Sequence, residues 1–460
     1  MIPRRIMGLE TEYGLLCASK TAGYPVVDAE EAAHELFAPL LKRTRSTNAF
    51  LPNGARLYLD VGAHPEYASA ECDDLGDLLA NDRAGDELYV RMARKAEEKY
   101  AELGGQLHLF KNNIDSYGNS YGCHENYLVR RRRDFRARID SLIPFFVTRQ
   151  ILVGAGYLQV SDDGARYKIS QRADIMNDAV SAATTRSRPM INTRDEPHGD
   201  AELYRRMHVI VGDSNMSDTT TALKFGATEA LLHVIEAGKR LPTRELADPV
   251  LAIRQVSADA TGRALLELKD GSTMTAVEIQ REVFELVRDH FAAHGWLDKL
   301  DPIRAYVFDL WGRTLLALER DEPEKVSTEI EWIAKLLLLE RYAERLGADL
   351  GDPRIQRLDL AWHDITSAGL RGPLEKSGGL TTLLSAERIE EAMSIPPQTT
   401  RAKLRGDFVA LAMDSRRDYM VDWMNVRLVD ESGAHQILLK DPFSAVDERV
   451  EGLMEIMDSA

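Results

Sequence analysis

The chain has 460 residues, 44% of them hydrophobic, enough for one large core and a smaller second one. Lys and Arg total 58 against 74 Asp and Glu, and the net charge of −16 excludes nucleic-acid binding through bulk electrostatics. No apolar run approaches the roughly 20 residues that span a bilayer, and the opening "MIPRRIMGLETEYG" lacks the apolar centre of a signal peptide. Cys17, Cys72 and Cys123 have no metal-like spacing and read as reduced thiols, so a cytoplasmic protein with neither nucleic acid nor membrane as partner is expected.

In chain order, residues 5–15 read as a strand and 29–45 as a helix. "NGARLYLDVGAHPEYASAEC" opens with a second strand, and 74–103 is helical. "LHLFKNNID" and "HENYLV" read as strands joined by the glycine turn "SYGNSYG", and "SLIPFFVTRQILVGAG" as one buried helix. "RYKISQRAD", "PMINTRDEP" and "RRMHVIVGDSN" add short strands with polar ends. Helical periodicity dominates 216–345, and the strongest breakers of the last third lie between 377 and 400. "YMVDWMNVRLVD" and "HQILLKDP" read as strands, and the final fifteen residues as a helix. The fold class is α+β: a sheet-rich first half with a helical cover, 1–392, and a small α/β unit, 393–460.

Strand alternation sorts the polar residues by face. In "GLETEYG", Glu10 and Glu12 share one face, with Leu9 and Thr11 on the other. In "ARLYLD", Arg56, Tyr58 and Asp60 alternate with Leu57 and Leu59, and Glu66 follows six residues after Asp60. Taken singly, each acid reads as solvated or salt-bridged. On two strands with apolar backs, the set reads equally as a hard-oxygen site for Mg²⁺ and a phosphate-bearing substrate. His124 and Asn126 share a face of "CHENYLV", the His being either a structural residue or an added metal or phosphate contact. Arg172, Arg194, Arg205 and Arg206, with His208 beyond them, either hold phosphate oxygens or pair with Asp195, Glu196 and Asp200. The tract "RRRR" at 130–133 reads as a solvated turn or a contact for an acidic partner. There is no P-loop, no G-x-G-x-x-G, no nucleophile elbow and no C-x-x-C. Cys123 and His124 are strand neighbours and point to opposite faces, which argues against a dyad.

Whole phrases carry a closer likeness. "RRIMGLETEYG", "NGARLYLDVGAHPEYASAECD", "LFKNNIDSYGNSYGCHENYL", "ATTRSRPMINTRDEPHGDAE", "YRRMHVIVGDSNMS", "PPQTTRAKLRG", "VDW" and "KDPFSAVDERV" run nearly end to end. They resemble the Pup ligase/Pup deamidase family, within the glutamine synthetase-like carboxylate–amine ligases. The short span between Tyr13 and Asn53, the phrase "YLDVGAHPEY" and the phrase "ATTRSRPMINTRDEPH" resemble the ligase branch rather than the deamidase/depupylase branch.

The resemblance implies a curved antiparallel sheet cradling ATP and Mg²⁺ under helices, with 393–460 closing over the nucleotide. It implies activation of the C-terminal glutamate γ-carboxylate of Pup as a γ-glutamyl phosphate, then attack by a target lysine, marking the target for proteasomal degradation. Asp60 is the implied base. Glu10, Tyr58 and Glu66 are the implied Mg²⁺ contacts. Arg56, Ser69 and Trp423 are the implied ATP contacts, Ser69 standing where the ligases have threonine. Arg172, Arg194 and His208 are implied to face phosphates, with Glu12, His124 and Asn126 as further contacts. Partners are Pup and lysine-bearing proteins, and the chain is expected to be a monomer or weak dimer. The competing readings are the depupylase, a small-molecule γ-glutamyl ligase and a non-catalytic Pup-binding module.

Overall fold

The alternation in "GLETEYG" and "ARLYLD" becomes a two-faced sheet. A computed structural model describes residues 2–458 except 22, 61, 116, 117, 184–186, 243, 431 and 432. Ser116 and Tyr117 of the glycine turn, Val61 within "YLDVGAHPEY", and 184–186 within "ATTRSRPMINTRDEPH" therefore lie outside the described residues. The central sheet comprises β1 (Met7–Glu12), β2 (Asn48–Phe50), β3 (Arg56–Asp60), β4 (His64–Ala68), β5 (Cys123–Arg130), β6 (Asp178–Ser181), β7 (Pro189–Asn192) and β8 (Tyr204–Val209). Their spatial order is β6-β7-β8-β5-β1-β4-β3-β2. Only β6 and β7 run parallel; the other neighbours are antiparallel.

Register places the polar residues in one row across the middle strands. Tyr58 stands opposite Glu66, Glu66 opposite Glu12, Glu10 opposite His124, and Asn126 opposite His208. The other face is apolar and buried. Tyr67 and Leu57 pack in one cluster with Tyr89 and Val90 of α1 (Leu75–Glu97). Met7, Leu9, Tyr127, Met207 and Val209 pack in another with α2 (Phe135–Thr148), α3 (Asp218–Glu236) and α4 (Pro302–Arg320). α3 is buried almost all round and is capped by the Ser217 hydroxyl, which accepts the Thr220 N–H. A buried charge lies on this back face: Glu125 receives both Arg149 Nη atoms at 2.6 and 2.9 Å and the Tyr127 hydroxyl at 2.6 Å. That bidentate pairing lets a strand with two faces of different polarity sit inside the protein.

The last part of the chain has its own core. α5 (Ala402–Asp414), the antiparallel strands β9 (Asp418–Val421), β10 (Asn425–Asp430) and β11 (Gly433–Leu438), and α6 (Glu448–Asp458) enclose Phe408, Val426, Leu428, Ile437, Val450 and Leu453. Among the described residues no helix is long and apolar enough to cross a membrane. All three cysteines are buried free thiols.

Several expected elements divide. The strand at 5–15 breaks at Tyr13, and Gly14–Ser19 joins Gly105–Phe110 in a separate three-stranded sheet. Tyr13 turns inward there to donate its hydroxyl to Asp86 at 2.7 Å. The helix expected over "SLIPFFVTRQILVGAG" ends at Thr148 and restarts at Gln150, with Arg149 turned in to Glu125. "RYKISQRAD" is half strand, Gly164–Lys168, and half a 3₁₀ turn at Arg172–Asp174. "YMVDWMNVRLVD" is a hairpin, because the Asp422 carboxylate accepts the N–H groups of Met424 and Asn425 and bends the chain at Trp423.

Candidate active site

The polar row holds two groups of ligand-type atoms, each within 4.8 Å of one another: Glu12, Asp60 and Glu66; and Glu10, His124 and His208. Asp60 is exposed at the end of β3, whereas Glu66 is buried and accepts the Tyr58 hydroxyl. Burial pushes the Glu66 carboxyl well up, and the charges of Glu10 and Glu12 push it further. Burial and the adjacent Glu66 also raise the Tyr58 phenol, so Tyr58 stays protonated and donates its hydrogen bond to Glu66. Burial resists ionisation of Glu10 too, but the hydrogen bond from His124 and the positive charge around it hold its carboxyl well below the usual range. His124 Nδ1 and Asn126 Nδ2 each lie 3.1 Å from a Glu10 oxygen. The His208 imidazole, edge-on to His124 at 4.9 Å, is pushed down to about 3, chiefly by burial. Glu12 is held low against burial by His64 and by the Gly122 N–H, which donates at 2.7 Å. A side chain at position 122 would meet His124 at 2.9 Å and Glu12 at 3.1 Å, which explains the glycine in "YGCHEN".

The arrangement is electrostatically incomplete: acids face one another and Glu66 is driven toward its neutral form. Three oxygen donors converge on one point, the donor chemistry that suits Mg²⁺, so Glu12, Asp60 and Glu66 fit a hard cation. Glu10 with two imidazoles makes a mixed set beside it.

A half-open cleft adjoins the row. Gly8, Ser69 and Tyr127 lie on it, with Pro197, His198, Trp423 and Pro442 around them, and Glu10 and Arg206 belong to its lining as well. Gly8 stands two residues before Glu10 on the same face, where a side chain would fill the floor. Trp423 is held edge-on by Phe50, with centroids 4.9 Å apart at 85°, and by the Arg405 guanidinium 5.0 Å from the ring centre. An apolar slot with an aromatic wall, opening onto acids and an arginine, suits a flat heterocycle joined to phosphates.

Eight expected residues meet on this face: Glu10, Glu12, Tyr58, Asp60, Glu66, His124, Asn126 and His208. Arg56 lies over the Tyr58 ring at 4.2 Å and donates Nε to Asn48 at 2.7 Å. Ser69 lines the cleft, but its hydroxyl accepts the Leu9 N–H at 2.9 Å and donates to the Ala70 carbonyl at 3.1 Å, so it holds strand to strand. Arg172 and Arg194 do not join the row. Arg172 is buried and gives Nε and Nη1 to the carbonyls of Ile210 and Tyr121, each at 2.7 Å. Arg194 is exposed and pairs with Glu196 at 2.7 Å. Of the four arginines read as phosphate contacts or salt bridges, Arg206 does join it: its Nη1 donates to Asn126 Oδ1 at 3.2 Å and lies 3.7 Å from Glu10. Alternation in "RRMH", which puts 206 and 208 on one face, was the available signal. His64, with Nδ1 3.8 Å from Glu12 and its ring 4.6 Å from that of Tyr121, and His198 at the cleft escaped the sequence reading. In the basic tract, Arg131 is spent on Asp195 at 2.9 Å and Arg132 on Asp134 at 3.1 Å.

The sequence pattern of the family described as Pup-ligase protein matches residues 5–427. A Pup–protein ligase of Xylanimonas cellulosilytica is 52% identical over 458 residues, spanning 99% of this chain and 100% of that relative. One from Sanguibacter keddieii is 50% identical over 460 residues, with 99% and 100% covered. The crystal structure of Pup in complex with its ligase PafA superposes with a TM-score of 0.92 at 44% identity, covering 99% of this chain and 92% of that one. The structure of PafA with ADP gives 0.83 at 43% identity, with 95% of each chain covered. Fold and sequence thus fall within one class, the ligases. The chain belongs to the Pup-ligase family.

Proposed function

We propose that the chain uses ATP to join the γ-carboxylate of the C-terminal glutamate of Pup to lysine side chains of target proteins through a γ-glutamyl phosphate, marking the targets for proteasomal degradation. The observation that carries this reading is the double position of Glu10, which lines the apolar cleft and also sits in the acidic row. A nucleotide with its base against Trp423 would extend its phosphates along β1 toward Asp60. The relatives at 52% and 50% identity are ligases, which favours ligation over depupylation.

Arg206 and His208, beside Asn126 on β8, support contacts to phosphate oxygens and to charge that develops on them. Tyr58 orients Glu66, and His124 with Asn126 orients Glu10. Bound at Glu12 and Glu66, Mg²⁺ would neutralise those acids and the triphosphate together and leave the exposed Asp60 carboxylate unliganded. A target lysine is protonated at neutral pH, with an unperturbed pKa of about 10.4, and must lose that proton before it attacks. Asp60, exposed at the end of a rigid strand beside the other acids, is the group that would accept it. Residues 1–392 would form the catalytic part, and 393–460 would close over the nucleotide through Trp423.

The test mixes the purified protein with ATP, Mg²⁺, a lysine-bearing acceptor and Pup ending in either glutamate or glutamine, followed by intact mass spectrometry. Joining of Pup-Glu to acceptor with loss of water and release of ADP supports the proposal. Conversion of Pup-Gln to Pup-Glu without ligation would replace it with the deamidase/depupylase.

A further inference from the structure

Both sides of the cleft trace back to one carboxylate. Glu71, buried three residues beyond the end of β4, accepts Arg401 Nε at 2.8 Å and Arg405 Nη1 at 3.0 Å, and Arg405 Nη2 also reaches it. Both arginines are buried at the start of α5. Arg401 passes its remaining donors to the carbonyl of His198 and, at 3.0 Å, to that of Leu439. His198 has a left-handed backbone, φ 46°, unusual for a residue with a side chain, so that carbonyl needs a fixed partner. Arg405 donates to the carbonyl of Gly54 at 2.8 Å and of Trp423 at 3.3 Å, with its guanidinium beside the touching Phe50 and Trp423 rings at 5.1 and 5.0 Å. Glu71, Gly54 and Phe50 belong to the sheet part, His198 to the loop before β8, and Trp423 and Leu439 to the C-terminal unit.

We infer that Glu71, through Arg401 and Arg405, is a positioning residue that fixes the His198 segment and Trp423 as the two walls of the base cleft. The inference rests on reading that cleft as the nucleobase site. A charge buried between two guanidinium groups defines distance and direction, as a flexible contact cannot. Its loss would leave two buried cations facing each other, and the walls would part. The slot would widen while the acidic row kept its place, since no member of that row hydrogen-bonds Glu71 or either arginine among the described contacts.

The experiment compares wild type, Glu71→Gln, Arg405→Lys and Trp423→Ala in Pup ligation, measuring KM for ATP, kcat, and inhibition by inorganic tripolyphosphate, which has no base. Arg405→Lys keeps the charge on Glu71 but lacks the planar fork, and serves if Glu71→Gln does not fold. For Glu71→Gln or Arg405→Lys, KM for ATP should rise roughly tenfold or more with kcat reduced less than about threefold, and with tripolyphosphate inhibition unchanged. Loss of tripolyphosphate inhibition in step with ATP, or a fall in kcat alone, would overturn the inference by assigning Glu71 a general structural role. If Trp423→Ala weakens ATP while both other variants bind it normally, the positioning role fails and the reading of the cleft stands. If Trp423→Ala also leaves ATP untouched, the reading of the cleft fails as well.

Discussion

Asp60 and Trp423 are the residues on which the proposed chemistry turns, and each makes a separable prediction. Asp60 is exposed and holds up nothing in the core, so Asp60→Asn should leave thermal unfolding within about 0.5 kcal/mol of wild type. Ligation should fall at least roughly a hundredfold, because an amide cannot take a proton from the attacking lysine. Ligation at the normal rate, followed by mass spectrometry, would remove Asp60 from the mechanism. Trp423→Ala should weaken ADP binding by roughly 1–3 kcal/mol, the usual worth of one aromatic stack on a base, as titration calorimetry would read directly. Residues of the row were legible because strand alternation is a local rule: Glu10 and Glu12 must share a face whatever lies beyond. Arg206 was harder, since only the β8–β5 register places it beside Asn126, and register joins residues 80 positions apart in sequence. Ser69 was legible as a residue at the cleft but not in its bonding, which depends on the N–H of Leu9 on the neighbouring strand.

At the scale of elements, the sheet depends on how closely the helices approach its back. α1 comes near enough that a Cβ at Gly85 would stand 2.5 Å from the Tyr67 ring. Tyr67 cannot retreat, because its hydroxyl accepts from Asn53 at 3.1 Å and donates to Asn81 at 2.9 Å. Gly85→Ala, usually a favourable change in a helix, should therefore cost about 1–3 kcal/mol in urea unfolding, as overpacking does. A stabilised variant would mean that the helix and sheet slide apart freely. Long periodic helices such as α1 and α4 were readable, since 3.6-residue spacing accumulates over several turns. Breaks were not readable where the cause is a distant partner: Tyr13 leaves the first strand to meet Asp86, and Arg149 interrupts a helix to meet Glu125. The Trp423 hairpin was missed for a nearer reason, an Asp422 turn hidden inside an apolar run.

For the molecule as a whole, the buried titratable groups tie stability to pH. His290, in the helix Ala276–Ala293, is buried among Phe291, His294 and Trp296, and neither ring nitrogen has a hydrogen-bond partner among the described residues. Burial, then repulsion from His294, pushes its imidazole from 6.5 down to about 4. The unfolded chain takes up this proton below 6.5 and the native state only near 4, so the contribution is complete above 6.5 and lost as pH falls toward 4. His290→Phe should remove that loss, making the variant's stability fall by about 1–2 kcal/mol less than wild type between roughly pH 7 and pH 5. Parallel pH profiles for the two proteins would show that His290 does not titrate in the transition. The placing of the five tryptophans has an optical consequence. Trp311, Trp332 and Trp362 are sealed in the interior, and Trp296 is walled by the His290 and His294 rings. Only Trp423 borders the cleft. A change in emission when nucleotide is added would thus come from a single indole, giving the protein a built-in fluorescent reporter of its own occupancy.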